Sequence, residues 1–478
     1  MQPTTVSHLA HHAGASILGN PDVLIGPDVV IDSRAATPGC LFVALPGERV
    51  DGHDFAVAAV DAGAAALLVS RPVEVPMEVT VPQLVAADTA TALALLATGV
   101  VAEAVGTGLT SIGITGSSGK TSTKDLVAQV LATAAETVAP AGSANNEIGV
   151  PLTACRVDAS TRFLVNELGA RGRGHIAWLC GIVRPSVGAV LNVGHAHLGE
   201  FGSVDAIAQA KGELVEALPD SGWAVLNADD ERVVAMASRT PARIATFATS
   251  GEPEVGELRV WADAVTADAR QRPTFRLHAS GVAGGTADVR LQVSGLHQVA
   301  NALAAAAIGL SQGLTVPGVA EALTRAVPRS RWRMELVERD DGLLVVNDAY
   351  NANPESMAAA LRAVASMRRE TGRLVAVLGD MLELGPGAAA EHRAVGELAG
   401  RLGFDQVVAL GEYAEDLASG VRSGGVPVTV AANPGEAVRV VAMAATGRDV
   451  VLVKASRGLA LETVAEQLGA GPATEVGR

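Results

Sequence analysis

A glycine-rich segment between a predicted strand and a predicted helix carries residue types that bind phosphate. It reads Gly113-Ile-Thr-Gly-Ser-Ser-Gly-Lys-Thr121. Backbone N–H groups in such a turn surround phosphate oxygens, the Lys120 ammonium can reach β- and γ-phosphates, and the Thr121 hydroxyl can ligate Mg²⁺. The strict G-x-x-x-x-G-K-[ST] spacing fails, because Ile114 holds the first glycine position and the glycine comes at Gly116. An ordinary Gly/Ser turn is the alternative, but the strand–loop–helix context favours a nucleotide phosphate loop.

An acidic residue and two imidazoles follow later predicted strands. Glu167 ends the apolar run 162–166, and Asn192-Val-Gly-His-Ala-His197 follows the run 186–191. A carboxylate at the carboxyl end of a strand near a phosphate loop can hold a metal ion, and a neutral imidazole can ligate one. A solvated strand-end carboxylate is the alternative for Glu167, and chemistry alone does not rank His195 against His197.

Lys211 lies on the helix predicted to begin near Ser203, in the run Ala-Gln-Ala-Lys-Gly-Glu. A lysine on a helix is usually a solvated surface group. The residues alone give no reason to depart from that interpretation.

Short apolar strands that alternate with helical stretches must position these groups. We predict strands at residues 40–45, 65–69, 111–114, 162–166, 186–191, 343–346, 374–378, 406–410 and 449–454, a β-rich stretch over 244–293 and a helix over 296–310. Strands followed by helices imply right-handed crossovers and mainly parallel sheets. The predicted fold class is α/β with three domains: a small α/β domain over 1–108, a central domain with a P-loop-type parallel sheet over 109–328, and a Rossmann-like domain over 329–478. The boundary near residues 327–331 is a predicted hinge.

Composition supports this organisation and excludes several classes of protein. At about 150 residues per domain, 478 residues suggest roughly three domains, and 49% hydrophobic with 18% charged residues excludes disorder. A net charge of −15 argues against binding of nucleic acid or anionic membranes, and 3% aromatic residues are too few for a base-stacking platform.

The cysteines and the apolar segments indicate the compartment. Cys40, Cys155 and Cys180 lie far apart, which suggests neither a disulfide framework nor a thiolate metal site and fits a reducing cytoplasm. Residues 1–20 lack a secretory pattern, and the apolar run 86–105 is interrupted by charges, so we expect no membrane insertion. We therefore expect a cytoplasmic protein.

Taken together, these motifs resemble the Mur ligase family, the ATP-dependent amide ligases of peptidoglycan precursor synthesis. The resemblance covers nearly the whole chain. The matching segments are Asp32-Ser-Arg34, 42–49, Asp51-Gly-His-Asp-Phe55, 115–124, 145–151, Asn166-Glu-Leu-Gly169, 192–202, 295–301, Ser330-Arg-Trp-Arg-Met334, 347–354, 378–385 and Lys454-Ala-Ser-Arg-Gly458. Within the family, Tyr350-Asn-Ala-Asn-Pro354 is similar to the motif of the dipeptide-adding member. The departures are Gln298 in place of Asn, Leu198-Gly-Glu200 in place of Leu-Glu-Gly, and His195 at a position that often holds proline.

The resemblance implies two cofactors, ATP and Mg²⁺, with two metal ions bound. Thr115, Gly116, Ser117, Ser118, Gly119, Lys120, Thr121, Asn301, Arg333 and Asp348 would hold the nucleotide. One Mg²⁺ would lie on Thr121 and Glu167, and a second on Glu167, His197 and a carbamylated Lys211. Lys120, Glu167, His197 and Lys211 would form the catalytic set.

The resemblance also implies the substrates, UDP-N-acetylmuramoyl-tripeptide and D-alanyl-D-alanine, and a monomeric enzyme. Ser33, Arg34 and Gly47 would face the uridine nucleotide, Asn145 and Asn146 the sugar–peptide, and Asn351, Asn353, Lys454, Ser456 and Arg457 the dipeptide and phosphate. The rival interpretations are a related ligase, such as folylpolyglutamate synthase or another Mur member, and a non-catalytic nucleotide-binding protein on the same scaffold.

Overall fold

The structure is a computed structural model that describes residues 1–47, 49–75, 81–194 and 198–471. Its strands are β1 Thr4–Thr5, β2 Ser16–Leu18, β3 Leu24–Ile25, β4 Val29–Val30, β5 Leu41–Val43, β6 Ala66–Val69, β7 Gln83–Val85, β8 Thr110–Thr115, β9 Thr137–Val138, β10 Phe163–Glu167, β11 Val187–Val190, β12 Trp223–Asn227, β13 Arg243–Ala248, β14 Leu258–Ala267, β15 Pro273–Gly281, β16 Gly285–Arg290, β17 Glu335–Glu338, β18 Leu344–Asn347, β19 Leu374–Leu378, β20 Gln406–Ala409, β21 Val428–Val430 and β22 Val450–Lys454.

The α-helices lie between these strands. They are α1 Val6–Ala13, α2 Ala56–Asp61, α3 Thr89–Gly106, α4 Lys120–Leu131, α5 Gly149–Ala154, α6 His175–Val183, α7 Leu198–Phe201, α8 Val204–Glu216, α9 Glu231–Val234, α10 Gln298–Ser311, α11 Val316–Arg325, α12 Pro354–Ala365, α13 Ala388–Arg401, α14 Ala414–Ser423, α15 Pro434–Ala442 and α16 Glu462–Ala470.

The first large sheet has the order β2-β7-β6-β5-β4, and all its pairs are parallel except β2 with β7. Strands β5 and β6 are wholly buried, as expected for a sheet covered on both faces. The strands predicted at residues 40–45 and 65–69 are confirmed.

The central sheet has the order β16-β15-β14-β13-β12-β11-β8-β10-β9. It is parallel from β9 to β14 and antiparallel from β14 to β16, which accounts for the β-rich stretch predicted over 244–293. Strand β8 lies between β10 and β11, with Ile114 opposite Glu167 and Thr115 opposite Val190. The carboxyl ends of these three strands therefore meet at one edge.

The third sheet has the order β17-β18-β22-β19-β20-β21 and is parallel apart from the edge strand β17. Leu378 of β19 lies opposite Lys454 of β22 at the carboxyl edge. The predicted boundaries at residues 108 and 328 lie between the three sheets, and they stay predictions.

One helix in the described ranges, α3, is long and apolar enough to cross a membrane by length and composition. It packs against α1, α5 and α6, and its Leu93, Leu96 and Val101 are fully buried in the core. We interpret α3 as a core helix because these three apolar side chains are packed within the chain.

Candidate active site

The phosphate-binding loop joins β8 to α4. Gly119, the residue before the helix, has φ = +81°, and a Cβ atom there would lie 2.5 Å from Oδ1 of Asn301. A glycine is therefore required both by the backbone conformation and by the approach of the α10 side chain. Asn301 accepts a hydrogen bond from the Thr123 hydroxyl and donates one to Oε1 of Gln298, so the glutamine that departs from the family pattern orients it.

Lys120 and Thr121 open α4 at the carboxyl edge of the sheet. Nζ of Lys120 donates to the Gly116 carbonyl at 2.7 Å. Burial lowers the pKa of Lys120, and the charge of Glu167 opposes that shift. The Thr121 hydroxyl donates to Oε2 of Glu167 at 2.9 Å, so the predicted hydroxyl and carboxylate ligands are adjacent.

Three side chains fix the buried carboxylate of Glu167, which is 1% exposed. Its other oxygen, Oε1, accepts hydrogen bonds from Ser143 Oγ and Asn145 Nδ2, both at 2.8 Å. The side chain of Asn145, predicted to lie along the sugar–peptide, therefore orients Glu167, whereas Oδ1 of Asn146 accepts the Gly149 N–H at the start of α5. No sequence signal distinguished Ser143.

Lys211 is buried on α8, with 5% of its surface exposed. Among the described residues its Nζ has no hydrogen-bond or ion-pair partner. Burial holds the pKa of Lys211 well below its usual value, and the nearby charge of Lys120 lowers it further. The interpretation of Lys211 as a solvated surface lysine is therefore wrong. His195 and His197 lie outside the described residues.

Asn192, which follows β11, binds the phosphate loop through its side-chain amide. Its Oδ1 accepts the Ser118 N–H at 2.9 Å, and its Nδ2 donates to the Ser118 carbonyl at 3.2 Å. The Gly194 N–H donates to Ser117 Oγ at 2.8 Å. A cavity of about 390 Å³ opens here, lined by Ser118, Asn192, Val193, Gly194, Val204, Arg232 and Glu355. The sequence predicts Asn192 at this edge of the sheet, but it does not predict that the Asn192 side chain binds the phosphate loop.

Two residues that follow the central sheet in the chain reach the phosphate loop. Nη2 of Arg333 donates to the Thr121 hydroxyl at 3.2 Å, and its guanidinium lies 4.3 Å from the centre of the Tyr350 ring. Nδ2 of Asn353 donates to the Ser117 carbonyl at 3.2 Å, while its Oδ1 caps α12. The amide of Asn353 is thus engaged in structural contacts in this conformation.

Asp348 and Lys454 form a buried ion pair beside this junction, with Nζ 2.6 Å from Oδ2. Burial lowers the pKa of Lys454, while Asp348 opposes the shift. Nζ also donates to the carbonyl of Asn351 at 2.9 Å. Ser456 Oγ accepts the Leu382 N–H. These contacts join three loops at the carboxyl edge of the third sheet, those that follow β18, β19 and β22.

Arg457 lies close to the same junction. Its guanidinium is 4.3 Å from the Trp332 ring centre, and it pairs with Glu462. Its side chain therefore lies over the segment that connects the central and third sheets.

The residues predicted to face the uridine nucleotide form a separate group at the carboxyl edge of the first sheet. Ser33 and Arg34 follow β4, and Gly47 follows β5. Arg34 pairs with Asp32 at 2.6 Å, and the Gly47 N–H donates to the Val50 carbonyl. In the part of the chain that the structure describes, no hydrogen bond or ion pair joins this group to the phosphate loop.

A phosphate loop with a hydroxyl and a carboxylate at the edge of a parallel sheet defines a nucleotide-binding protein of the P-loop type. Three family models match the chain: "Mur ligase family, catalytic domain" at residues 28–100, "Mur ligase middle domain" at 114–309 and "Mur ligase, glutamate ligase domain" at 332–457. The chain belongs to the Mur ligase family.

Two curated relatives of the chain carry the same name. The chain is 51% identical over 401 residues to the UDP-N-acetylmuramoyl-tripeptide–D-alanyl-D-alanine ligase of Mycobacterium tuberculosis H37Rv, covering 80% of this chain and 77% of that protein. The Escherichia coli K12 ligase of the same name is 38% identical over 447 residues, with 92% and 93% coverage.

Solved structures agree in fold. A crystal structure of MurF from Acinetobacter baumannii has a TM-score of 0.84 and 31% identity, and the match covers 98% of this chain and 99% of that one. MurF ligase from Thermotoga maritima in complex with ADP has a TM-score of 0.74 and 27% identity, with 92% and 97% coverage. The predicted three-domain α/β Mur ligase architecture is confirmed.

Proposed function

We propose that the protein is the ATP-dependent ligase that joins D-alanyl-D-alanine to UDP-N-acetylmuramoyl-tripeptide in cytoplasmic peptidoglycan precursor synthesis. The observation that carries the proposal is the contact of Thr121 with both Glu167 and Arg333, which joins the phosphate loop, a neighbouring strand end and the segment before the third sheet at one point. The shared name of relatives that cover most of the chain supports the choice of substrates.

The chemistry follows from the inertness of a carboxylate toward amines. The γ-phosphoryl of ATP is transferred to the tripeptide carboxylate, which forms an acyl phosphate and releases ADP. The neutral amine of D-alanyl-D-alanine then attacks the acyl carbon, the C–O bond to phosphate breaks, and the amine loses a proton as phosphate leaves. Lys120, half-buried beside the loop, offsets the charge that develops on the transferred group.

The donor set fits Mg²⁺, because the Thr121 hydroxyl and the Glu167 carboxylate are hard oxygen ligands already in contact. These two residues would hold one ion, and Glu167, His197 and a carbamylated Lys211 a second. When bound, such ions neutralise the phosphate and carboxylate charges that must approach each other.

Carbamylation of Lys211 requires a neutral amine, which burial and the nearby charge of Lys120 favour by lowering its pKa. The neutral amine adds to CO₂ and releases a proton, leaving an anionic carbamate. Lys211 then offers Mg²⁺ an anionic oxygen ligand, whereas the protonated ammonium would repel the ion.

The remaining proposed binding residues are distributed over the three domains, with the roles that the family implies. Ser33, Arg34 and Gly47 of the domain over 1–108 would bind the uridine nucleotide. Asn145 and Asn146 of the domain over 109–328 would lie along the sugar–peptide, and Asn301, Arg333 and Asp348 would help to hold the nucleotide. Asn351, Asn353, Lys454, Ser456 and Arg457 of the domain over 329–478 would bind the dipeptide and phosphate. Closure of this domain would exclude water from the acyl phosphate, which hydrolyses easily.

The test is ADP release with ATP, Mg²⁺ and UDP-N-acetylmuramoyl-tripeptide, with and without D-alanyl-D-alanine. We expect sustained release only with both peptide substrates. D-glutamate and free diaminopimelate serve as control acceptors with the corresponding shorter precursors. Faster ADP release with either control would contradict the assignment.

A further inference from the structure

A second cluster of metal-ligating side chains lies far from the phosphate loop, where α1 meets α3. His8 and His12 lie one turn apart on α1 and therefore share a face. Glu103 projects from the last turns of α3. No step of the proposed reaction uses any of these residues.

The three ligand atoms form a small triangle. Nε2 of His12 is 3.1 Å from Nε2 of His8 and 2.9 Å from Oε1 of Glu103, and the His8–Glu103 distance is 3.1 Å. Ligands of a tetrahedral Zn²⁺ at about 2.0–2.1 Å lie about 3.3 Å apart. An opening of a few tenths of an ångström would therefore convert the triangle into three corners of a zinc tetrahedron.

Gly99 supplies an independent indication that α3 makes room for this cluster. It lies four residues before Glu103, inside a helix where glycine is unfavourable. A Cβ atom there would lie 2.2 Å from Nδ1 and 2.4 Å from Cγ of His12. Only glycine lets the imidazole lie against α3 with its Nε2 directed at the carboxylate.

We propose that His8, His12 and Glu103 bind a divalent transition-metal ion, Zn²⁺ by ligand chemistry, that links α1 to α3. Two imidazoles and one carboxylate suit this ion, whereas Mg²⁺ prefers oxygen ligands alone. The side chains of His8 and Glu103 are 43% and 55% exposed, so the fourth position faces solvent and takes water. Because α3 also packs against α5 and α6, the ion would fix the first sheet's helices to the central unit.

The experiment titrates Zn²⁺ into the full chain without a histidine tag, in millimolar Mg²⁺ to occupy the phosphate-loop region. Calorimetry should give one Zn²⁺ per chain. We expect His12→Gln and Glu103→Gln each to weaken binding by about tenfold or more. Gly99→Ala, which leaves all three ligands in place, should also weaken binding by displacing the His12 ring.

His11→Gln is the matched control, because His11 lies on the same helix but outside the triangle. It should bind Zn²⁺ like the wild type. Zn²⁺ should raise the melting temperature of the wild type and of His11→Gln but not of His12→Gln, whose fold is checked by circular dichroism. Equal isotherms for the wild type and His12→Gln would overturn the proposal, as would a site lost in Glu167→Gln and retained in His12→Gln.

Discussion

The segment predicted as a hinge runs along one face of α4, and Gln129 provides the contact that we expect to matter most. Its Nε2 donates to the Val327 carbonyl and its Oε1 accepts the Val327 N–H, both at 3.0 Å. One turn back, Oδ2 of Asp125 accepts the Ser330 N–H, and another turn back Thr121 meets Arg333. The connection to the third sheet is thus attached to the helix that carries the phosphate loop.

Gln129→Ala removes two hydrogen bonds from this attachment. Each neutral bond contributes about 0.5–1.5 kcal/mol, and both lie near the surface, so we expect a loss of about 1–2 kcal/mol. That corresponds to about a 5- to 30-fold shift away from the attached arrangement. Gln129 lies eight residues, or about 12 Å along the helix axis, from Thr121, so the phosphate loop itself should be unaffected.

Two assays separate the effects. Trypsin should cleave after the exposed Arg329 or Arg331 several-fold faster in Gln129→Ala, whatever the reaction catalysed. In the ligase assay, kcat/KM for D-alanyl-D-alanine should fall 5- to 30-fold, the equilibrium shift worked out above, while ATP affinity by calorimetry stays unchanged. Gln292→Ala is the matched control, because its amide donates to the Thr324 carbonyl within the central unit. Wild-type proteolysis and dipeptide kinetics in Gln129→Ala would refute the reasoning.

Four further outcomes are expected. Lys120→Ala should lower turnover by about a hundredfold or more while uridine-substrate binding, measured by calorimetry, is retained. Lys211→Ala should lose most ADP release and regain part of it with added acetate or formate; wild-type rates would contradict a carbamate. Lys124→Met should destabilise the protein in urea by about 3–5 kcal/mol, because it leaves the mostly buried Asp125 carboxylate without the ammonium 2.5 Å away. Burial raises the pKa of Cys155 to about 12, so thiol reagents at pH 8 should react with it only when the protein unfolds. Raising the pH toward 12 should favour the unfolded state, because the thiol ionises more easily there.

The strand ends were the part of the site that the sequence could predict. In a parallel sheet the carboxyl ends share one edge, so Glu167 and Asn192 had to lie near Thr115 once their strands were recognised. What those side chains contact could not be predicted in the same way. The Asn145 amide was predicted to lie along the substrate, but it orients Glu167 instead. A loop amide can bond many partners equally well, so its residue type does not predict which one it contacts.

Lys211 shows why burial is harder to predict than position. The helix could be located from its pattern, but its lysine is buried only because α8 packs against β8, β11 and α6, which come from distant parts of the chain. A buried lysine is unfavourable unless it is paired, neutral or modified, and no described residue pairs with Lys211. The structure therefore adds a physical reason for a role that the sequence could only suggest by resemblance.

The contacts between the connecting segment and α4 could not be predicted from the sequence for a related reason. Thr121, Asp125 and Gln129 recur every four residues, which is the spacing of one helix face, while their partners Arg333, Ser330 and Val327 recur every three. Neither pattern is unusual alone, and about 200 residues separate them in the chain. Because the two patterns align, the segment that leads to the third sheet is held along α4, the helix that begins at Lys120. The segment can move away only if these contacts break. We therefore expect Gln129→Ala to release the connecting segment, and with it the third sheet, while the phosphate loop at the other end of α4 keeps its position.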